Sequence, residues 1–232
     1  MSNALWGVVP AEFDGGTATV GFNANNGTVA KILLDVLAPA SAVLTGTPSP
    51  LFLGGGSIFD IVATSSDAAA KDILLWHCRV MSTPSVLLTT TANTLGRATG
   101  TWVSEGYQVG ETLMLFGTSG NGNSGQDGIP CMITSIVNQV ITFQGTPLAA
   151  SAGLTSGTRV CKAYNWQRQT VTAGSGITSG VASQQILGGS NDGSTVRSER
   201  KIGKNDIIAV SMQAAVSALP AQVVVNAQYA RY

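Results

Sequence analysis

The sequence predicts an all-β protein, a sandwich or barrel of many short strands. Apolar and polar residues alternate with a period of two in several segments. Glycine, asparagine and aspartate cluster between those segments, at Asp14-Gly15-Gly16, Asn25-Asn26-Gly27, Gly54-Gly55-Gly56, Gly188-Gly189 and Asp192-Gly193. These residues supply the positive φ of tight turns. No long amphipathic helical pattern interrupts this rhythm.

The first strands are expected at residues 17–22, 31–37 and 58–64. Ser66 or Asp67 is placed to cap a single helical turn over residues 66–71. The next segment alternates clearly. Leu74, Trp76, Cys78 and Val80 face one way, and Ile73, Leu75, His77, Arg79 and Met81 the other. Strands follow at 112–116, 129–136 and 140–143, the last two joined as a hairpin across Val137-Asn138-Gln139. Between the first two of these, residues 117–128 form a glycine-, asparagine- and serine-rich loop that belongs on the surface. Further strands are expected at 158–162, 168–172 and 207–212. A final one runs from Gln222, with Val223, Val225, Ala227 and Tyr229 on one face. Valine, isoleucine and threonine dominate these runs because β-branched side chains fit a pleated surface.

Only 24 of the 232 residues are Asp, Glu, Lys or Arg, and twelve acids balance twelve bases. A nucleic-acid partner calls for a basic surplus that neutralises phosphates, and none is present. A weakly charged surface repels copies of itself poorly, which favours self-association or docking onto a larger body. No segment is long and apolar enough for a membrane span, and the opening residues lack the pattern of a signal peptide. Cys78, Cys131 and Cys161 read as small buried apolar side chains, consistent with synthesis in a reducing cytoplasm. A meeting of Cys131 and Cys161 on neighbouring strands is the alternative.

The residue inventory argues against catalysis. His77 is the single histidine, and Cys78 beside it on a strand faces the opposite way. Asp35, Asp60 and Glu111 are candidate acids for glycoside hydrolysis, but no spacing selects a pair. The glycine clusters lack the Gly-Lys-Ser/Thr ending of a phosphate loop. Asn121, Asn123 and Asp127 offer oxygens for Ca²⁺ with few carboxylates. No catalytic residue, metal or cofactor is therefore assigned. Trp76 and Trp102 read as core anchors, Trp6 and Trp166 as candidate interface anchors. Residues 197–206 hold a third of the chain's Lys and Arg. Arg197, Arg200 and Lys201 in that segment are candidates for contact with an acidic neighbour, against the alternative of a solvated loop.

The middle of the chain carries a resemblance. Residues 100–113, Gly-Thr-Trp-Val-Ser-Glu-Gly-Tyr-Gln-Val-Gly-Glu-Thr-Leu, resemble a pattern common in tailed-phage virion proteins, continuing through Asp127-Gly128-Ile129, Thr134-Ser135-Ile136 and Val140-Ile141-Thr142-Phe143. In that pattern Tyr107 and Val109 cover the end of a small barrel and Gly110 turns a sharp corner. Glu111 caps the turn or stays wet, and Leu113 and Phe143 fill the core. Residues 205–212 and 223–232 resemble the closing strands of a jelly-roll capsid decoration, or cement, protein.

The resemblance implies a jelly-roll-like β-sandwich from residues 1–94 and 165–232, interrupted by a small β-barrel at 95–164. It implies a non-enzymatic protein of the virion, made in the bacterial cytoplasm. Such a protein binds the major capsid protein across capsomer boundaries on the capsid surface. It associates with copies of itself as a homo-dimer or homo-trimer, and nucleic acid and membrane are not expected partners. A tail-associated or head-fibre component and a carbohydrate-binding module are the alternatives.

Overall fold

A computed structural model of the protein describes residues 15–24, 28–35, 56–82, 87–118, 126–154, 158–177, 180–187, 200–203 and 206–231. The first four strands are β1 (Gly15–Asn23), β2 (Lys31–Asp35), β3 (Gly56–Ser65) and β4 (Lys71–Ser82). Six shorter strands follow: β5 (Leu88–Thr90), β6 (Thr94–Arg97), β7 (Thr112–Phe116), β8 (Cys131–Val137), β9 (Val140–Phe143) and β10 (Ser151–Leu154). The chain returns through β11 (Arg159–Val171), β12 (Gln184–Leu187), β13 (Arg200–Ile202), β14 (Asp206–Met212) and β15 (Gln222–Arg231). One 3-10 turn, Val103–Glu105, is the helical element among the described residues.

The strands form two antiparallel sheets. One has the order β1-β15-β3-β12, with β13 sharing the β3 edge. The other begins β2-β14-β4-β11 and continues through β7, β8, β9, β6, β5 and β10. With β5–β10 and β13 set aside, eight strands remain. Their sheet orders are first-eighth-third-sixth and second-seventh-fourth-fifth. This is the strand order of a jelly roll, two interlocked Greek keys. The interruption lies in the connection between its fourth and fifth strands. There the added strands continue the second sheet from β11 through β7 and curl it into a half-barrel around a core of their own. The expected boundaries at 94/95 and 164/165 fall inside β6 and β11, so β5 and all of β6 lie with the added strands.

Period-two alternation explains which side chains go where. Ala18, Val20 and Phe22 of β1, Ile61 and Ala63 of β3 and Val223, Val225 and Ala227 of β15 meet Ile73 and Leu75 of β4 and Ile208 and Val210 of β14. That is the sandwich core, two inner faces interdigitated. The other face of β4 is buried too: Trp76, Cys78 and Val80 pack with Met114, Phe116, Cys161, Ala163, Ile207 and Ala209. Every position of β14 is buried, which accounts for its nearly unbroken apolar run. A third core gathers Trp102, Tyr107, Leu113, Ile133, Ile141 and Phe143 inside the half-barrel.

Several expectations change. The strands expected at 158–162 and 168–172 are one, β11, whose pairing with β4 shifts register between Asn165 and Gln167. Arg168 lies opposite Leu74, and the two strands that flank the insertion, β4 and β11, pair with each other. Residues 66–71 hold no helical turn. Asp67 instead accepts the Ala69 N–H at 2.9 Å, a local carboxylate turn that competes with helix. Val109 does not cover the barrel end; it is 61% exposed, while Tyr107 is buried. Cys131 cannot meet Cys161, because they are packed in different cores, and all three cysteines are buried.

Candidate functional site

The face of β4 that carries Ile73 and Leu75 into the sandwich core carries Met81 to the half-barrel core at its other end. Between the two lie His77 and Arg79. Across the register from them stand Tyr164 and Lys162 on β11, and Ile208 and Asp206 on β14. Among the described residues this polar saddle gathers His77, Arg79, Lys162, Tyr164 and Asp206. His77 Nε2 lies 2.9 Å from Asp206 Oδ2, at an oblique approach for a ring N–H hydrogen bond. The imidazole stacks on Trp166, centroids 4.8 Å apart, with Tyr164 tilted at 6.3 Å.

Asp206 also accepts the Gly203 N–H at 2.6 Å. Burial alone would raise its pKa. The His77 ring, the Gly203 N–H and the Arg79 charge outweigh that, and the carboxyl is held below the usual carboxylate range. Asp206 thus stays ionised and fixes the imidazole. His77's contacts are a carboxylate, an indole and a phenol ring; none is a serine or cysteine. Cys78, on the opposite face, is buried, and burial pushes its thiol well up and away from a reactive thiolate. Among the described residues the arrangement supports packing of β11 and β14 against β4.

Three further acids are committed in the same way, while the side chain of Asp35 lies outside what the structure describes. Glu111 accepts the Gln108 N–H at 2.8 Å and pairs with Lys162 at 2.6 Å, so it both caps the corner and binds β11. Asp127 accepts the N–H groups of Gly117 and Thr118, at 3.0 and 2.9 Å, and the Thr118 hydroxyl. Its oxygens therefore tie down the base of the glycine-rich loop; Asn121 and Asn123 lie outside the described residues. Asp60 accepts from Gln185 at 2.7 Å. Among the described residues no group of three His, Cys, Asp or Glu side chains is placed to hold a metal ion. No helix among them is long and apolar enough to cross a membrane.

The described candidate interface residues, Trp166, Arg200 and Lys201, fall in two different sheets. Trp6 and Arg197 lie outside the described residues. Trp166 sits at the register shift of β11, half-buried against the sandwich core and stacked on His77, so much of its contact area is already used. Arg200 and Lys201 lie on β13, in the other sheet, where Lys201 is exposed. The chain matches no protein-family model, no curated protein and no solved structure.

Proposed function

We propose that this chain is a non-enzymatic structural protein of a tailed-phage virion, one that decorates and stabilises the capsid by binding across capsomer boundaries. The observation that carries the reading is the jelly-roll strand order, with a half-barrel built into one connection. Jelly rolls serve viral shells, lectins and small-molecule enzymes alike. The balanced, sparse charge and the committed acids favour the first of these. The motif resemblance of residues 100–143 to phage virion proteins points the same way. On this reading the sandwich lies on the shell and the half-barrel projects from it. Stability comes from modest interfaces repeated at many identical places.

Counting copies in purified particles that encode this chain tests the reading. Quantitative mass spectrometry should find it at an abundance approaching that of the major capsid protein. A handful of copies per particle would assign it to a tail or head fibre, and absence from mature particles would remove the virion reading altogether.

A further inference from the structure

Strands β5, β6, β8 and β9 of the half-barrel present an outer surface whose described residues include no exposed ionisable side chain. From Gly128 to Thr158 the sequence has no Asp, Glu, Lys, Arg or His. β8 and β9 fall in that run, β5 carries no charge, and β6 carries one, Arg97. Arg97 is turned inward: its side chain is 3% exposed, it meets Glu105 Oε1 at 2.5 Å, and it lies 4.2 Å over the Trp102 ring. What faces out is threonine, valine and methionine. Val137 stands opposite Val140 at the hairpin end, 63% and 41% exposed. Val103, also 63% exposed, belongs to the same end, because the adjacent Trp102 donates its Nε1–H to Gln139 O at 2.8 Å. Met132, further along β8, is exposed as well.

We propose that this face is the contact between copies of this chain. When identical faces meet about a symmetry axis, a charge near the axis meets its own copy and is repelled. A face free of charge avoids that penalty. A partner of different sequence carries no such restriction and is selected best by complementary charge, which this face does not offer. The one charge its strands own is buried and neutralised by Glu105. The exposed valines gain most by being covered. The inference rests on the reading of the chain as an assembling structural protein.

Sedimentation velocity on the purified full chain at micromolar concentration tests it. The protein should run as a dimer or trimer. Val137→Lys and Val140→Lys should each weaken association roughly a hundredfold, since each places like charges against one another. Circular dichroism checks that both variants fold, and Gln228→Lys, on the exposed side of β15, should associate as the native chain does. A monomeric native chain, or an oligomer indifferent to both lysines, overturns the inference. The two proposals fail separately. A monomer abundant on virions sinks this contact and spares the decoration role, whereas a lysine-sensitive oligomer absent from virions does the reverse.

Discussion

Among the described residues, the buried side chains between the two sheets of the sandwich are almost all aliphatic, with Phe22 as the one fully buried aromatic. Inside the half-barrel, Trp102 and Tyr107 meet edge-to-face at 5.4 Å, and Phe143 packs with them. The difference follows from shape. Two facing sheets lie about 10 Å apart, a gap that interdigitated Val, Ile and Leu fill. A curled sheet that does not close on itself leaves a wider hollow. Aromatic side chains fill it, and their polar atoms must then be satisfied inside. Trp102 donates to Gln139 O and Tyr107 donates to Val160 O at 3.0 Å, so the two plugs also tie the connection between β6 and β7 to the β8–β9 turn and to β11.

The regions differ in reach along the chain as well. β1 pairs with β15, Gly15 opposite Ala230, so the sandwich closes only when its two ends meet. The half-barrel is made largely of neighbours, such as the β8–β9 hairpin and the β5–β6 pair. Short separations cost less loop-closure entropy. The half-barrel is therefore the region expected to organise on its own terms, with β11 as the shared rail.

The largest expected effect tests that separation. Trp102→Ala empties the centre of the half-barrel and removes the hydrogen bond to Gln139 and the surface on which Arg97 lies. It should cost about 4 kcal/mol. Hydrogen exchange should show lost protection concentrated in residues 88–154, with the β1–β15–β3 ladder keeping its own. An equal loss in both regions would mean that β4 and β11 weld them into one cooperative unit, and the comparison would fail.

A smaller effect belongs to the sandwich. Asp67 is buried in the turn between β3 and β4. It accepts the Ser217 N–H and hydroxyl at 2.7 and 2.8 Å, and Lys71 lies 3.5 Å away. These contacts clamp the loop before β15. Burial by itself would raise this carboxyl; the N–H groups of Ala69 and Ser217, the Ser217 hydroxyl and the Lys71 ammonium outweigh it and bring the pKa down to about 2. A depressed folded pKa stabilises above the unfolded value and is lost as pH falls through the folded one. Thermal stability should therefore decline from the ordinary carboxylate range, near 3.8, toward about 2. Asp67→Asn should cost about 3 kcal/mol at neutral pH, because Lys71 keeps its hydrogen bonds but loses its countercharge. It should also flatten that acid limb, while leaving exchange within 88–154 unchanged.

Much of this architecture is legible in the sequence. The alternation of β4 and β15, the β8–β9 hairpin and the core position of Trp76 follow from period-two reading, whereas buried Trp102 is foreseen by residue type and buried Leu113 and Phe143 by the resemblance. β5, β6, β10, β12 and β13 do not, since strands of three or four residues show too few repeats to declare a period. β11 was split in the sequence because its middle, from Tyr164 to Arg168, is polar and partly exposed where it crosses the saddle. The pairing of His77 with Asp206 was equally hidden. It depends on the β4–β14 register, which joins residues far apart in the chain. The neutral outer face is different: its signal, a long run without charge, stands in the sequence but acquires meaning only once Arg97 is seen to point inward.

The seam between the two regions supplies the finest test. Ala30, on the way into β2, donates its N–H to Gly128 O at 3.0 Å, and Gly128 donates to Leu115 O at 2.8 Å. Gly128 therefore links a sandwich strand to the half-barrel. It has φ +72°, and a Cβ there would come 1.9 Å from the Ala30 carbonyl oxygen. Gly110, at the corner before β7, has φ +89° with nothing within 4 Å of its would-be Cβ. Both pay the left-handed strain when changed to alanine, about 1 kcal/mol. Only Gly128→Ala adds a backbone clash, which should bring its total to at least about 2 kcal/mol. The excess should appear as lost protection at Ala30 and β2 as well as at Leu115, since the clash pushes both neighbours. Equal costs for the two alanines would mean that the seam yields freely and that the regions touch there without holding one another. An excess confined to the half-barrel side would leave the clash real but the link one-sided, with β2 held by β14 alone.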